Sequence, residues 1–330
     1  MEPFWPRHSP HFLAVRTAAR AGLHACAGEE IGGGLSVAVG LSGGADSLAL
    51  TAALIAENAD VMAVCVDHQL QEGSRGIAER AAEQARALGA QAVVVPAEWD
   101  NSFGASAKDS LESGARQARY RALAAVAGSR PIFIAHTADD QAETLLLGLM
   151  RGQAVGMSSQ TRNEGALIMR PLLGLRRQDT AGACAELGLE FWQDPHNQPA
   201  AAEDFRRVAV RHEVLPLLER IVGGEIAPAL AAAADDIAED DSYLQPVSLS
   251  DDCAQLASLP APVRRRAIAG WLQEQGVRVT KAGLRGIDKL CTSYTGQGGV
   301  AVSMVAAGER KHRGWLEVSR VGGKLALIRR

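Results

Sequence analysis

Between residues 35 and about 150, short apolar runs alternate with stretches in which apolar and alanine residues recur every three or four positions. SVAVGL (36–41), ADVMAVCV (59–66), AQAVVVP (90–96) and RPIFIA (130–135) read as buried strands. The intervening stretches 47–57, 74–88 and 112–127 read as helices. This alternation predicts βαβ units, and so an α/β fold with a doubly wound parallel sheet covered on both faces. Right-handed crossovers then gather the carboxyl ends of the strands along one edge, where such sheets bind ligands.

Beyond residue 150 the pattern changes. Residues 151–161 are polar and glycine-containing, a loop by composition. Helical spacing returns over 175–187, followed by the turn-rich segment WQDPHNQPAAED (192–204). Residues 205–219 read as a helix that Pro216 should kink or end. A boundary is expected near 222–224. It divides a first domain, 1–222, from a smaller, mainly helical α+β domain, 223–330. The latter opens on an acidic, alanine-rich helix (226–244), continues with a basic helix (262–275), and ends in alternating runs over 298–328 that predict a hairpin or small sheet.

Charge sharpens that division. The net charge is −4, but residues 260–330 carry 14 Lys and Arg against 4 Asp and Glu, while 1–259 carry 20 against 34. A basic tail on an acidic body suits a partner that presents phosphate. Arg264, Arg265 and Arg266 on the helix, and Arg310, Lys311 and Arg313 near the hairpin, are candidate backbone contacts. No run of about 18 apolar residues predicts a membrane span. The five cysteines are scattered without a CxxC pair, so neither a zinc site nor a disulfide framework is expected. MEPFWPRHSP lacks an apolar signal core, which makes the cytoplasm the expected compartment.

The segment VAVGLSGGADSLALTAAL (37–54) reads as strand, tight loop, helix. Gly43 and Gly44 allow backbone N–H groups to approach a ligand closely, and a helix opening near Ser47 adds unpaired N–H groups and positive dipole. The loop lacks the GK[ST] ending of a Walker A loop and is not a GxGxxG dinucleotide loop. With Asp46 and no lysine, phosphates there need another cation, for which Mg²⁺ is the plausible choice. A second constellation, IAHTADDQAETLLLGLMRG (134–152), puts His136 at the end of a strand on the same sheet edge. Thr137 is the expected N-cap, and Asp139, Asp140 and Glu143 lie in the first helical turns. Asp140 also satisfies a capping box with Thr137.

The loop LSGGADS resembles the SGGxDS pyrophosphate loop of the N-type ATP pyrophosphatases, whose members split ATP between the α and β phosphates. That resemblance implies an ATP loop formed by Ser42, Gly43, Gly44, Ala45, Asp46 and Ser47. The segment from His136 is similar to the HxxDDQAET motif of tRNA(Ile)-lysidine synthases. VDHQLQEGSR (66–75), LESGARQARYRAL (111–123), the block 170–197 and FRRVAVRHEVLPLL (205–218) resemble further motifs of that family in the same order. The sequence departs from the family at RGQAVGMSSQ, which stands where a glycine-rich turn is usual, and at Val208 and Phe205. The resemblance implies a ligase. It would adenylate C2 of the wobble cytidine of tRNA(Ile) carrying a CAU anticodon, and replace AMP with the ε-amine of L-lysine.

Asp46 and Asp140 are then the expected Mg²⁺ ligands, and Asp46, His136, Asp140 and Arg207 the expected catalytic residues. Arg207 and Arg211, one helical turn apart, could grip phosphate or carboxylate. Asp67 and His68 end the second strand, where adenosine contact and plain strand termination are both open. Two alternatives stand beside this reading: another tRNA-modifying enzyme with the same loop, such as a cytidine thiolase, and a non-catalytic tRNA- or nucleotide-binding protein. The sequence leaves a homodimer open.

Overall fold

The computed structural model describes residues 8–27, 34–67, 69, 73–97, 108–163, 165–201, 205–244, 250–304 and 316–329. The amino-terminal helix α1 (Pro10–Ala27) leads into β1 (Ser36–Gly40), α2 (Ala45–Ala56), β2 (Asp60–Asp67), α3 (Ser74–Leu88), β3 (Gln91–Pro96) and α4 (Lys108–Ala127). The chain continues through β4 (Ile132–Phe133), α5 (Ala138–Met150), β5 (Gln160–Asn163), β6 (Ala166–Met169) and α6 (Arg177–Leu187). These strands form one sheet in the order β3-β2-β1-β4-β6-β5, parallel except for β5.

Alternation along the strands sorts the core into two layers, because successive side chains point to opposite faces. Val37 and Val39 of β1, with Val61, Ala63 and Cys65 of β2, join the layer that packs α1, α2, α3 and α6. Ala38, Val64, Ile132 and Ile134 join the layer closed by Tyr120, Leu123 and Ala127 of α4. Both faces are therefore covered, which is why the strands read as unbroken apolar runs.

The order of the strands fixes where a ligand belongs. The chain builds outward from β1 through β2 to β3, then returns to place β4 on the other side of β1, with Ala38 opposite Ile132 and Val39 opposite Phe133. The order reverses between β1 and β4, and the crevice at such a reversal is the binding edge of a doubly wound sheet. The loop after β1 and the residues after β4 are thus neighbours by topology.

Residues 206–222 form one continuous run of helix with a defect. α7 (Arg206–Ala209) passes into a π-helical turn, Val210–Val214, and then into α8 (Leu215–Val222). Pro216 sits in the first turn of α8. The ring cannot donate to the preceding turn, and the wider turn accommodates this without breaking the helix. The expected kink is thus a π turn, a geometry often found at functional sites.

The helix α9 (Ala227–Tyr243) follows, and the division into two compact units falls within it, between Ala238 and Glu239, rather than at 222–224. The second unit contains α10 (Cys253–Ser258), α11 (Ala261–Glu274), α12 (Lys281–Thr292) and a small antiparallel sheet of β7 (Val300–Val302), β8 (Leu316–Val321) and β9 (Lys324–Arg329). Its own core gathers Leu256, Ile268, Leu272, Ile287, Leu290, Val318 and Leu325.

Here the basic residues are less free than expected. Arg264, 11% exposed at its side chain, bonds Asp288 Oδ1 at 2.5 Å and the carbonyl of Leu259 at 2.7 Å. Arg265 reaches the other oxygen of Asp288 at 3.2 Å, and Arg266 pairs with Asp241. Asp288 is buried, so Arg264 compensates a charge inside this unit. Arg310, Lys311 and Arg313 lie outside the described residues.

Candidate active site

Residues 41–44 leave β1 as a tight loop whose shape is set by its own hydroxyls. Ser42 N donates to Ser47 Oγ at 3.1 Å, the two serine hydroxyls lie 3.1 Å apart, and Ser47 Oγ donates to the carbonyl of Gly44 at 3.0 Å. Gly43 adopts φ +82°, and a Cβ there would meet Ala81 at 3.3 Å. Gly44 stands at the N-cap of α2 and offers no side chain to its N–H groups. The first turn of α2 therefore keeps donors for an anion, as the glycines and the missing cap predict. Trp192 N donates to the carbonyl of Gly43 at 2.9 Å and pins the loop from behind.

The second constellation follows β4. His136 leaves the strand, Thr137 caps α5, and the Asp140 carboxylate accepts from Thr137 N at 2.9 Å and Thr137 Oγ1 at 3.0 Å, completing the capping box. The other oxygen of Asp140 accepts from Arg177 Nη2 at 2.5 Å. Arg177 Nη1 reaches Glu143 Oε1 at 2.8 Å, so one guanidinium ties both acids together. Glu143 is fully buried, also accepts from Arg211 Nε at 2.8 Å, and lies 3.4 Å from Arg207 Nε as an ion pair without a hydrogen bond. Arg207 Nη2 donates to Thr144 Oγ1 at 3.0 Å. Arg207 and Arg211, brought round by the π turn, are thus engaged with α5. Asp139 forms a bidentate pair with Arg176, its oxygens 3.0–3.2 Å from Nε and Nη2.

The two constellations meet through α6. Thr180 Oγ1 lies against Asp46 Oδ1 and 2.9 Å from the carbonyl of Arg177, the residue that grips Asp140. Arg177, Thr180 and Glu143 complete the cluster, yet they were not among the residues singled out from sequence as catalytic or metal-binding. Glu143 carried a signal, because it falls one turn beyond Asp139 and Asp140 on α5. Arg177 and Thr180 fall in the helix expected over 175–187 and in the block 170–197 that resembles the family, but nothing local ties them to the loop, which α6 reaches only through tertiary packing. His68 lies outside the described residues. Asp67 is buried at the end of β2 and accepts from Ser74 Oγ at 2.6 Å and Gln69 N at 3.0 Å.

The electrostatics are uneven. Burial pushes the Asp46 carboxyl up to about 6; the Thr180 hydroxyl opposes this, Asp140 adds to it, Arg177 opposes it and Asp139 adds to it. Burial alone would also raise Asp140, but Arg177, His136, Thr137 N–H and Arg207 hold it well below the usual carboxylate range. Burial lowers His136 to about 3, opposed by Asp140 and reinforced by Arg116, Arg119 and Arg170. The imidazole is therefore neutral at physiological pH, and its Nδ1 is buried without a hydrogen-bond partner.

Among the described residues, no group of three or more His, Cys, Asp or Glu could hold a metal unaided. Asp46 and Asp140, which disfavour each other's charge, suit Mg²⁺, an ion that takes one or two carboxylates and completes its shell with phosphate and water.

A glycine loop without a Walker lysine, set at the reversal point of a doubly wound sheet, defines an ATP-using PP-loop protein. The comparisons agree: residues 27–218 match the PP-loop domain family, and residues 252–316 match the TilS substrate binding domain. The tRNA(Ile)-lysidine synthase of Corynebacterium glutamicum is 43% identical over 329 residues, covering 98% of this chain and 96% of that protein. The enzyme of the same name from Corynebacterium diphtheriae is 46% identical over 327 residues, covering 99% and 100%. A solved structure, the U34-tRNA thiolase NcsA from Methanococcus maripaludis, shares the fold with a TM-score of 0.51 at 16% identity, over 69% of this chain and 80% of that one. The chain belongs to the tRNA(Ile)-lysidine synthase family.

Proposed function

We propose that this chain joins L-lysine to C2 of the wobble cytidine of tRNA(Ile) bearing a CAU anticodon, consuming ATP and releasing AMP and pyrophosphate. The observation that carries the reading is the joining of the phosphate loop to the His136–Asp140 segment through Thr180 and Arg177. The family matches over nearly the whole chain support it.

In this reading the loop from Ser42 to Ser47 binds the β and γ phosphates through its N–H groups and hydroxyls. The cytidine O2 attacks the α phosphorus, the bond to the bridging oxygen breaks, and pyrophosphate leaves. The lysine ε-amine then attacks C2, and the C2–O bond breaks with AMP as leaving group. A free lysine ammonium has a pKa near 10.4, so one proton must be removed before attack. Asp46 and Asp140 would hold Mg²⁺, which supplies charge neutralisation at the phosphates.

His136, neutral and beside Asp140, relays a proton rather than offering a fixed positive charge to the transition state. Asp140, held ionised, either helps hold the metal or orients the incoming ammonium. Arg207 positions α5 through Thr144 and Glu143. All of these residues lie in one chain, so the reading needs no second copy, and it places the protein in the cytoplasm with its tRNA substrate. No helix among the described residues is long and apolar enough to cross a membrane.

A cytidine thiolase would need a reactive sulfur at the loop. Cys184 does lie there, donating to the carbonyl of Ala45 at 3.4 Å, but burial pushes its thiol up to about 12, which leaves it inert. Incubation with ATP, lysine and the CAU isoleucine tRNA tests the proposal. Lysine must be incorporated into the tRNA, and replacing the CAU wobble cytidine must abolish it. Incorporation that ignores the anticodon, or sulfur transfer in its place, would overturn it.

A further inference from the structure

On the α4 side of the sheet, three guanidinium groups gather beside His136. Arg116 Nη2 donates to Tyr120 Oη at 3.4 Å, with its guanidinium 5.4 Å from the ring centre. Arg119 lies 6.0 Å from the same ring. Arg170, at the end of β6, is 7% exposed. It donates from Nη1 to the carbonyl of Ser158 at 2.9 Å, while its buried Nε has no partner. Among the described residues, Arg119 has neither a hydrogen-bond nor an ion-pair partner, and Arg116 has only the Tyr120 hydroxyl.

The charge here is uncompensated. The carboxylate that acts most on both Arg119 and His136 is Asp140, which already carries Arg177. The Arg119 guanidinium is lowered by burial and by the nearby charge of Arg116. Burial would raise the Tyr120 phenol, yet Arg116 and Arg170 bring it down. Three like charges held together, two on partly exposed side chains, are unfavourable until an anion joins them.

We propose that Arg116, Arg119 and Arg170 form an oxyanion subsite that takes a backbone phosphodiester of the RNA substrate. This rests on the function proposed above. In the proposed function the triphosphate is accounted for by the loop before α2, whose Asp46 is linked to Asp140 through Thr180 and Arg177. Free lysine carries a net positive charge at neutral pH, and a triply cationic pocket repels it. A phosphodiester carries only negative charge and suits forked guanidinium donors. It would also anchor the nucleotide whose base must reach the α phosphate, with Tyr120 supplying an aromatic wall.

The test is equilibrium binding of the full chain to unmodified CAU isoleucine tRNA, without ATP or lysine, across a salt series. Arg119→Gln and Arg170→Gln are each expected to weaken tRNA binding about tenfold. Each should also flatten the slope of log K against log salt by about 0.7–1, one phosphate contact. The KM for lysine and the Kd for ATP should stay within about twofold, and Arg170→Lys should recover part of the affinity. Unchanged tRNA affinity and slope in folded variants would overturn the proposal. So would a raised KM for lysine with tRNA binding intact, which would assign the pocket to the amino-acid carboxylate. Should Arg170→Gln fail to fold, Arg119→Gln carries the test, because among the described residues no hydrogen bond or ion pair depends on that guanidinium, which meets only the Tyr120 ring. Binding is read without turnover, so a wild-type chain that binds tRNA but makes no lysidine counts against the proposed function and not against the subsite.

Discussion

Arg177 Nη2 lies 2.5 Å from Asp140 Oδ1, and this contact is the hinge on which the two sequence motifs become one site. The backbone carbonyl of Arg177 sits 2.9 Å from the Thr180 hydroxyl that lies against Asp46. The same guanidinium holds the buried Glu143 at 2.8 Å. One guanidinium therefore bridges the partly buried Asp140 and the fully buried Glu143, which Arg211 and Arg207 also neutralise, and its loss would leave Asp140 without its cation.

Arg177→Ala should accordingly destabilise the fold by about 3–5 kcal/mol, the cost of leaving buried charges without their partner. Urea unfolding of the variant against wild type measures this. A loss under about 1 kcal/mol would show that Arg207 and Arg211 hold Glu143 unaided, and that Asp140 is satisfied by its capping box.

Asp46→Asn should abolish pyrophosphate release and at the same time stabilise the free protein at pH 7. The sign follows from linkage. The folded carboxyl titrates at about 6, above its ordinary value, so between roughly pH 4 and pH 6 the folded state binds more protons than the unfolded chain. Stability on account of Asp46 is then greatest below that window and falls as pH rises through it. The asparagine variant should be more stable by about 2–3 kcal/mol at pH 7, the value of two pKa units, with the gain vanishing near pH 4. Thermal melts of both proteins from pH 4 to 8 check it.

His136→Ala should lower kcat far more than it changes the Kd for ATP. Because the imidazole stays neutral down to about pH 3, the wild-type pH–rate profile should show no step from His136 between pH 5 and 8. A profile limb that disappears in this variant would contradict the buried, neutral assignment.

Gly43→Ala should weaken ATP binding and cost about 1–2 kcal/mol of stability, since Gly43 holds φ +82° and an added Cβ would press on Ala81 at 3.3 Å. Isothermal titration with ATP, alongside denaturant unfolding, separates the two effects.

Arg264→Ala should act on stability before it acts on RNA. It removes the partner nearest to the buried Asp288. The expected result is a melting transition of the second unit at lower temperature, with the salt slope of tRNA binding unchanged.

The strand–loop–helix at 37–54 was legible because both periodicities are local, and so was the shared edge of the strands' carboxyl ends, whereas the reversal of order between β1 and β4 is visible only in the structure. Other parts were hidden for physical reasons. The strand β4 covers only Ile132–Phe133, although Pro131 O still accepts from Ala38 N at 2.9 Å and Ile134 N donates to Met169 O at 2.8 Å on either side of it. The helix α1 carries Phe12, Val15, Ala19 and Leu23 at helical spacing, a signal that was present but overlooked. The π turn at 210–214 could not be read, since Pro216 marks a defect without saying how the backbone absorbs it. The Arg177 bridge depends on α6 packing against α2, a tertiary fact with no local trace. The basic helix α11 misled for the same reason: Asp288 and Asp241, distant in sequence, take the charges that looked available.

The central claim is that ATP on the Asp46 loop meets the tRNA cytidine at the His136–Asp140 segment. Exchange of labelled pyrophosphate into ATP, measured with each substrate withheld in turn, tests it most directly. The account predicts exchange that requires the CAU isoleucine tRNA, proceeds without lysine, and is lost in Asp46→Asn. Exchange that requires lysine and ignores tRNA would mean that the amino acid is activated instead, and would contradict it.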